Sequence, residues 1–183
     1  MRIVPFSDAI RAAWDQFVET SPEAWFWHTS SWLAYCLAYR PGAVNRSFAV
    51  VDDAGALVAI CPLIQEGDAF SMGGEPGAAF VVTSGLGPTT MEADLRVRDE
   101  IDRLAQAYGI RRVAFRWTPQ CTRPEIGGID HRWWPQWLEN RGYREISWTT
   151  RMVDLTPPEA TLWRGVRKGH RANIRKAGKE YEI

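Results

Sequence analysis

The residue types in this sequence best suited to chemistry are the cations near its end. Between positions 161 and 183, seven Lys or Arg residues stand against only Glu180 and Glu182, a local net charge of +5 in a chain of zero formal charge. The first 160 residues therefore carry −5. Such an asymmetry marks a segment suited to a polyanion. Leu162, Val166, His170, Ile174, Ala177 and Tyr181 recur at helical spacing along one face, and Arg164, Lys168, Arg171, Arg175 and Lys179 along the opposite face. Arg167 and Lys176 widen the basic stripe. Each guanidinium presents a rigid fork that matches two phosphate oxygens. The ligands this chemistry suits are a nucleotide diphosphate, the phosphates of coenzyme A, or a tRNA backbone. No acidic residues interleave at i+4, and a solvated face balanced by the acidic body of the chain is the competing reading.

A second phosphate-type feature is the run Thr83–Thr90, which contains Ser84, Gly85 and Gly87 ahead of a helical pattern. Backbone N–H groups in such a loop, with a helix N-terminus behind them, can cradle a pyrophosphate. Pro88 removes one of those donors. An ordinary strand-to-helix turn explains the same residues, and a lone Gly-x-Gly is not specific. The remaining reactive residue types point to no site. His28, His131 and His170 sit in no nucleophile signature. Cys36, Cys61 and Cys121 are odd in number and widely spaced, as in reduced thiols rather than a disulfide framework, and no histidine accompanies them at metal-ligand spacing. Asp52, Asp53 and Asp130 read as turn and cap residues. No catalytic residue and no metal site are assigned.

The elements that must position these groups alternate between helix and strand. Ile10, Trp14, Phe17 and Val18 make residues 8–19 an amphipathic helix, and a second helical stretch runs from Ser30 to Tyr39 before Pro41-Gly42. Ser47–Val51 and Ala56–Ile64 form a hairpin around Asp52-Asp53-Ala54-Gly55. Shorter strands are expected at Ala69–Met72 and Ala78–Val82. Thr89 and Glu92 make a capping box for a helix whose buried stripe is Val97, Ile101, Leu104 and Tyr108, closed by Gly109. Val113, Phe115 and Trp117 alternate as a strand, expected near the middle of the sheet. A short helix after Asp130, with Trp133, Trp134, Trp137 and Leu138 on its apolar side, and a strand over 143–155 follow. Thr156-Pro157-Pro158-Glu159 then opens a helix, with Thr156 as N-cap, expected to run on towards the C-terminus. The sum is an α/β (α+β) domain with a mixed, mostly antiparallel sheet flanked by helices.

Totals agree with one globular domain: 183 residues, 45% hydrophobic and 24% charged. Ten tryptophans are the outlier, to be placed in the core or along an amphipathic cleft. The first residues lack the apolar stretch of a signal peptide, and no apolar run approaches the ~20 residues a membrane helix needs.

Two stretches carry a family resemblance. Trp14-Asp15-Gln16-Phe17-Val18 followed by Phe26-Trp27-His28-Thr29-Ser30-Ser31-Trp32 is similar to the opening of Fem-family transferases. Leu162-Trp163-Arg164-Gly165-Val166-Arg167-Lys168, running into Arg171-Ala172-Asn173-Ile174-Arg175-Lys176-Ala177, resembles the helix that joins the two lobes of those proteins. The order of elements between them also matches, and the strand–glycine loop–helix layout resembles the coenzyme A site of the wider GNAT superfamily. Val82 departs from that superfamily's pattern, which has Arg or Gln there.

The resemblance implies a GNAT-like N-terminal lobe over 1–155 and, over 156–183, a basic helix leading to a second GNAT-like lobe not contained in this chain. It implies a cytoplasmic bacterial acyl- or aminoacyltransferase of cell-wall (peptidoglycan) or related envelope biogenesis. Aminoacyl-tRNA or acyl-CoA would be the donor, and a small-molecule or nucleotide-linked molecule the acceptor, with no cofactor held in this lobe itself. His28, Ser31 and Trp32 fall where the family's first lobe faces substrate, and Arg164, Arg167, Lys168, Arg171 and Arg175 on its inter-lobe helix. Two other readings stay open: a stand-alone acetyl-CoA-dependent N-acetyltransferase, which the loop at Ser84, Gly85 and Gly87 would serve, and a non-enzymatic module whose basic helix binds a polyanion.

Overall fold

The computed structural model describes residues 1–21, 24, 26–71, 81–82, 88–114, 142, 144 and 155–180, with backbone alone at 81–82, 88–90 and 180. The chain forms two compact units, Met1–Arg144 and Glu145–Ile183.

In the first unit the elements run β1 (Arg2–Pro5), α1 (Asp8–Thr20), a 3-10 turn (Phe26–His28), α2 (Ser30–Tyr39), β2 (Val44–Asn45), β3 (Phe48–Val51), β4 (Leu57–Cys61), β5 (Ile64–Glu66), β6 (Ala69–Ser71), β7 (Val81–Val82), α3 (Pro88–Ala107) and β8 (Arg112–Ala114). They build two sheets, β1-β3-β4-β7 and β2-β5-β6-β8. All neighbours are antiparallel except β6 and β8, which are parallel across the α3 connection. The expected mixed α/β class is what forms.

The two sheets share one ribbon. Asn45 lies opposite Ile64 and Phe48 opposite Cys61, so the register passes unbroken from β2–β5 into β3–β4. The ladder is interrupted at Pro62, which has no N–H to give. Ser47 repairs the gap: the Leu63 N–H donates to Ser47 Oγ at 2.9 Å, and the Arg46 N–H donates to the Leu63 carbonyl at 2.8 Å. At the far end Asp52 organises the hairpin turn, its side chain accepting from the Ala56 N–H at 2.8 Å, with Gly55 at φ 88. Only a glycine takes that conformation without steric cost.

Strand β3 is buried on both faces, which explains its unbroken apolar sequence. Phe48 and Val50, with Ala59 and Cys61 from β4, pack on Ala93, Val97, Ile101 and Leu104 of α3. Ala49, Ile60 and Ile64 face the other way, onto Trp14, Phe17 and Val18 of α1 and Leu33 and Cys36 of α2. The layers are therefore helix, sheet, helix. Helix α3 ends in a Schellman motif around Gly109 (φ 63): the Ile110 N–H reaches the Ala105 carbonyl at 2.8 Å and the Gly109 N–H the Gln106 carbonyl at 3.3 Å.

Several expectations need correction. Strand β1 was not anticipated; Pro5 at its end is tolerated because β1 is the edge of its sheet among the described residues. Residues 56–64 are two strands, parted at Pro62-Leu63. Strand β8, expected near the middle of the sheet, stands at the end of its own among the described residues. The helix expected to start from a Thr89 cap begins at Pro88. Tyr108 is not part of the buried stripe: it is 43% exposed, past the end of α3, and holds Arg46. The Arg46 guanidinium lies 3.7 Å from the centre of its ring and donates to its hydroxyl at 3.0 Å. Phe115, Trp117, the helix after Asp130 and the strand over 143–155 lie outside the described residues.

In the second unit the long C-terminal helix is two helices, α4 (Glu159–Gly165) and α5 (Lys168–Glu180). Val166 between them is extended, with φ −70 and ψ 130. Gly165 and a β-branched residue in succession are poor helix formers, and the chain turns there. The start also moves: Pro158, not Thr156, is the N-cap of α4. A residue before proline is kept out of the helical region, so Pro157 cannot begin a helix ahead of Pro158.

Candidate functional site

Three groups of residues were expected to form sites. The first lies where α1 meets the start of α2. Trp14 is fully buried, and its indole N–H donates to the His28 carbonyl at 2.7 Å. Asp15, one residue on, points its carboxylate at the N-terminus of α2: the Ser30 N–H and hydroxyl donate to its two oxygens at 2.8 and 2.6 Å. An anion there also suits the positive end of the helix dipole. Thr29 completes the cap by accepting from the Trp32 N–H at 3.2 Å. Helix α1 thus fixes both the position and the direction of α2.

Of the residues assigned here, Ser31 is exposed and Trp32 half-buried, whereas His28 is buried at 1% exposure. His28 serves this corner through its backbone, and only Ser31 and Trp32 reach the surface. Trp32 belongs to a continuous aromatic row. Phe26 and Trp27 meet it edge-on at 5.4 and 4.8 Å, Tyr35 stacks on it at 5.0 Å, and Tyr39 stacks on Tyr35 at 5.7 Å.

The second group is the glycine loop. Ser84, Gly85 and Gly87 lie outside the described residues. Their frame is described: β7 ends at Val82, paired to Ala59 of β4, and α3 begins at Pro88. Residues 83–87 therefore connect the end of β7 to the N-terminus of a 20-residue helix.

The third group is the basic stripe. Dividing the helix distributes it: Arg164 is on α4, Arg167 in the turn, and Lys168, Arg171 and Arg175 on α5. Arg171 is half-buried and donates to the carbonyls of Trp163 and Arg164, both at 3.4 Å, closing the C-terminus of α4. Arg175 lies 5.6 Å from the centre of the Trp163 ring. Arg164, Arg167, Lys168, Arg175 and Lys179 are exposed, and none forms a salt bridge among the described residues.

One feature of α3 escaped the sequence reading. Asp94 and Arg98 form an ion pair at 2.7 Å with side chains only 4% and 3% exposed. Burial raises the Asp94 carboxyl to about 7, outweighing the opposing pull of Arg98. Asp94 Oδ1 has no hydrogen-bond partner among the described residues. The thiols of Cys36 and Cys61 are buried, and burial pushes both upward in pKa, Cys61 strongly. That makes them poor nucleophiles. The described residues gather no group of His, Cys, Asp and Glu suited to a metal ion, and contain no helix long and apolar enough to cross a membrane.

The fold and these groups define an α/β domain, in which β7 precedes α3 in sequence, and a basic helical unit. No family model matches the chain, and no curated protein matches it. Solved structures that overlay it include a probable acetyltransferase at 13% identity and a TM-score of 0.48, covering 86% of this chain and 100% of that one. An aminoglycoside antibiotic 6'-N-acetyltransferase from Acinetobacter haemolyticus overlays at 13% identity and a TM-score of 0.44, covering 84% and 100%. Another from Acinetobacter baumannii does so at 10% identity and 0.46, covering 84% and 99%.

Proposed function

We propose that this chain is a lobe of an acyl- or aminoacyltransferase that works with a second GNAT-like lobe on a phosphate-bearing substrate, tRNA-borne or nucleotide-linked, in cell-envelope synthesis. The observation that carries the reading is the row of exposed cations on α5 and its approach, Arg164, Arg167, Lys168, Arg175 and Lys179, without a carboxylate partner among the described residues. Exposed charges contribute little to folding, and cations without carboxylate partners are open to phosphate oxygens. Arg171 has a different role: it ties α5 to the end of α4 and so sets the direction from which the others approach phosphate.

The test is Lys168→Gln with Arg175→Gln and Lys179→Gln, leaving Arg171 in place. Binding to tRNA and to uridine diphosphate is measured at two salt concentrations. For tRNA the salt dependence should flatten by roughly two to three units of slope. The melting temperature should barely move. Unchanged binding to both ligands would return the row to a solvated surface.

A second reading, a stand-alone N-acetyltransferase using acetyl-CoA, is supported by the sequence order in which β7, Gly85, Gly87 and the N-terminus of α3 follow one another. Val82 and Pro88 tell against it, and acetyl-CoA is expected to bind weakly or not at all. Micromolar binding in a calorimetric titration, lost on replacing Gly85 or Gly87 by Val, would favour this second reading over the first.

A further inference from the structure

The sequence of the basic segment suits one helix, and its structure is two. At about 100° per residue, Arg164, Lys168, Arg171, Arg175 and Lys179 would fall within about 80° of one another on an unbroken helix. Leu162, Val166, Ile174 and Ala177 would fall within about 120° on the other side. Both stripes keep their phase across 165–167, where α4 ends and the chain turns. Two cations of the row hold that turn. Arg171 donates to the carbonyls of Trp163 and Arg164, and the Arg175 guanidinium lies 5.6 Å from the centre of the Trp163 ring. On a continuous helix Trp163 and Arg175 would stand about 18 Å apart, so that contact belongs to the bent form alone.

We infer that α4 and α5 form a phosphate-operated hinge, bent and latched by Arg171 and Arg175 when free, and straightened into one helix when both arginines leave for phosphate. This rests on the reading that the row binds a phosphate-bearing ligand. At Val166 the hinge needs a single torsion. Its φ of −70 is already that of a helix, and only its ψ of 130 departs from the helical value of about −42.

The two forms trade contacts. Helix α5 starts at Lys168, and its first bond runs from the Arg171 N–H to the Arg167 carbonyl at 3.0 Å. The N–H groups of Lys168, Gly169 and His170 therefore have no acceptor within α5. Straightening would give them the carbonyls of Arg164, Gly165 and Val166. Against that gain, cations aligned at i+4 spacing repel one another, and bound phosphate removes the repulsion. A phosphate ligand thus favours the straight form by what it adds at Arg171 and Arg175. That is the differential affinity a switch requires.

The test follows amide hydrogen exchange in the full chain, with and without tRNA or uridine diphosphate. In the free protein the amides of Lys168, Gly169 and His170 should exchange rapidly, and saturation with whichever ligand binds should slow them about tenfold or more. Two variants push the hinge in opposite directions. Val166→Pro fits a φ of −70 but cannot continue a helix, and should weaken binding about tenfold. Gly165→Ala with Val166→Leu favours helix, and should strengthen binding roughly threefold to tenfold. Neither position carries charge, so a rigid row would bind as the parent does in both variants, and that result would overturn the hinge. Ligand binding that leaves exchange at 168–170 unchanged would also overturn it. If Val166→Pro fails to fold, the paired variant decides alone. A parent that binds neither ligand at low salt would overturn the phosphate reading itself, and the hinge with it.

Discussion

Replacing Asp94 by Asn should make the protein more stable at pH 8 while changing little at pH 5. The Asp94 carboxyl is buried on α3 beside Arg98, and burial raises it from an ordinary value of 3.8 to about 7. A carboxyl raised on folding gives stability that is fully present below the unfolded pKa and lost as pH rises towards the folded one. The unfolded chain releases this proton near pH 4, while the folded chain holds it to about pH 7. Stability therefore falls across that window and is flat above it. Between pH 5 and 7 the slope of one proton is about 1.4 kcal/mol per unit, or about 2.7 kcal/mol in all. Asn cannot ionise, so the variant lacks this loss.

Urea unfolding of both proteins at pH 5, 6, 7 and 8, followed by far-ultraviolet circular dichroism, isolates the effect. Taking the difference between the two proteins cancels every other titrating group. The stability of Asp94→Asn relative to the parent should climb by about 2–3 kcal/mol from pH 5 to pH 8. The opposing force is Arg98, which keeps its charge at every pH tested. Breaking a buried ion pair at one partner commonly costs about 3–5 kcal/mol. If Asp94→Asn loses that much at pH 8, attraction to Arg98 governs the site and the burial argument is wrong.

Two further perturbations test how the site corner and the sheets are held. Ser47→Ala removes the hydroxyl that bridges Leu63 where Pro62 breaks the ladder, leaving a buried N–H unsatisfied, and should cost about 1–3 kcal/mol in urea unfolding. Asp15→Ala removes both acceptors from Ser30 at the head of α2 and should cost about 1–2 kcal/mol. It should also shift tryptophan fluorescence, because Trp14, Trp27 and Trp32 all sit at that junction. A cost without a fluorescence change would show that Asp15 does not position α2.

Periodicity made the long elements legible. Trp14, Phe17 and Val18 on α1 and Val97, Ile101 and Leu104 on α3 announce their buried faces because each helix has one side against the sheet. The same rule failed at Tyr108, which keeps the spacing of the stripe but lies beyond the last turn of α3. Strand β1 was missed because four residues ending in proline carry little pattern; its pairing to β3 comes from opposite ends of the α1–α2 segment. Asp94 and Arg98 were invisible for another reason. Four residues apart on a helix, they read like any exposed pair, and only the fold puts them out of water. Of the first site group, the cap residues were within reach, since Thr29-Ser30 precedes a helix. The link to Asp15 was not.

The basic segment shows how a correct pattern can assign wrong roles. At helical spacing Lys168, Arg171, Arg175 and Lys179 form one stripe, and α5 preserves that spacing. Extending the stripe back to Arg164 assumed an unbroken helix, and Gly165-Val166 breaks it. Once the chain turns, the last carbonyls of α4 need donors, and a cation on α5 supplies them. That is Arg171, which sequence alone ranks equal to its neighbours. Its guanidinium is therefore partly committed within its own unit, whereas on the proposed function Lys168 and Lys179 are left for phosphate. Arg171→Gln should thus loosen α4 from α5 and weaken every phosphate ligand together, whereas Lys168→Gln or Lys179→Gln should remove one contact and leave the helices in place. A circular dichroism melt of each variant separates the two cases. An unaltered melt for Arg171→Gln would refute the clamp and return Arg171 to the stripe.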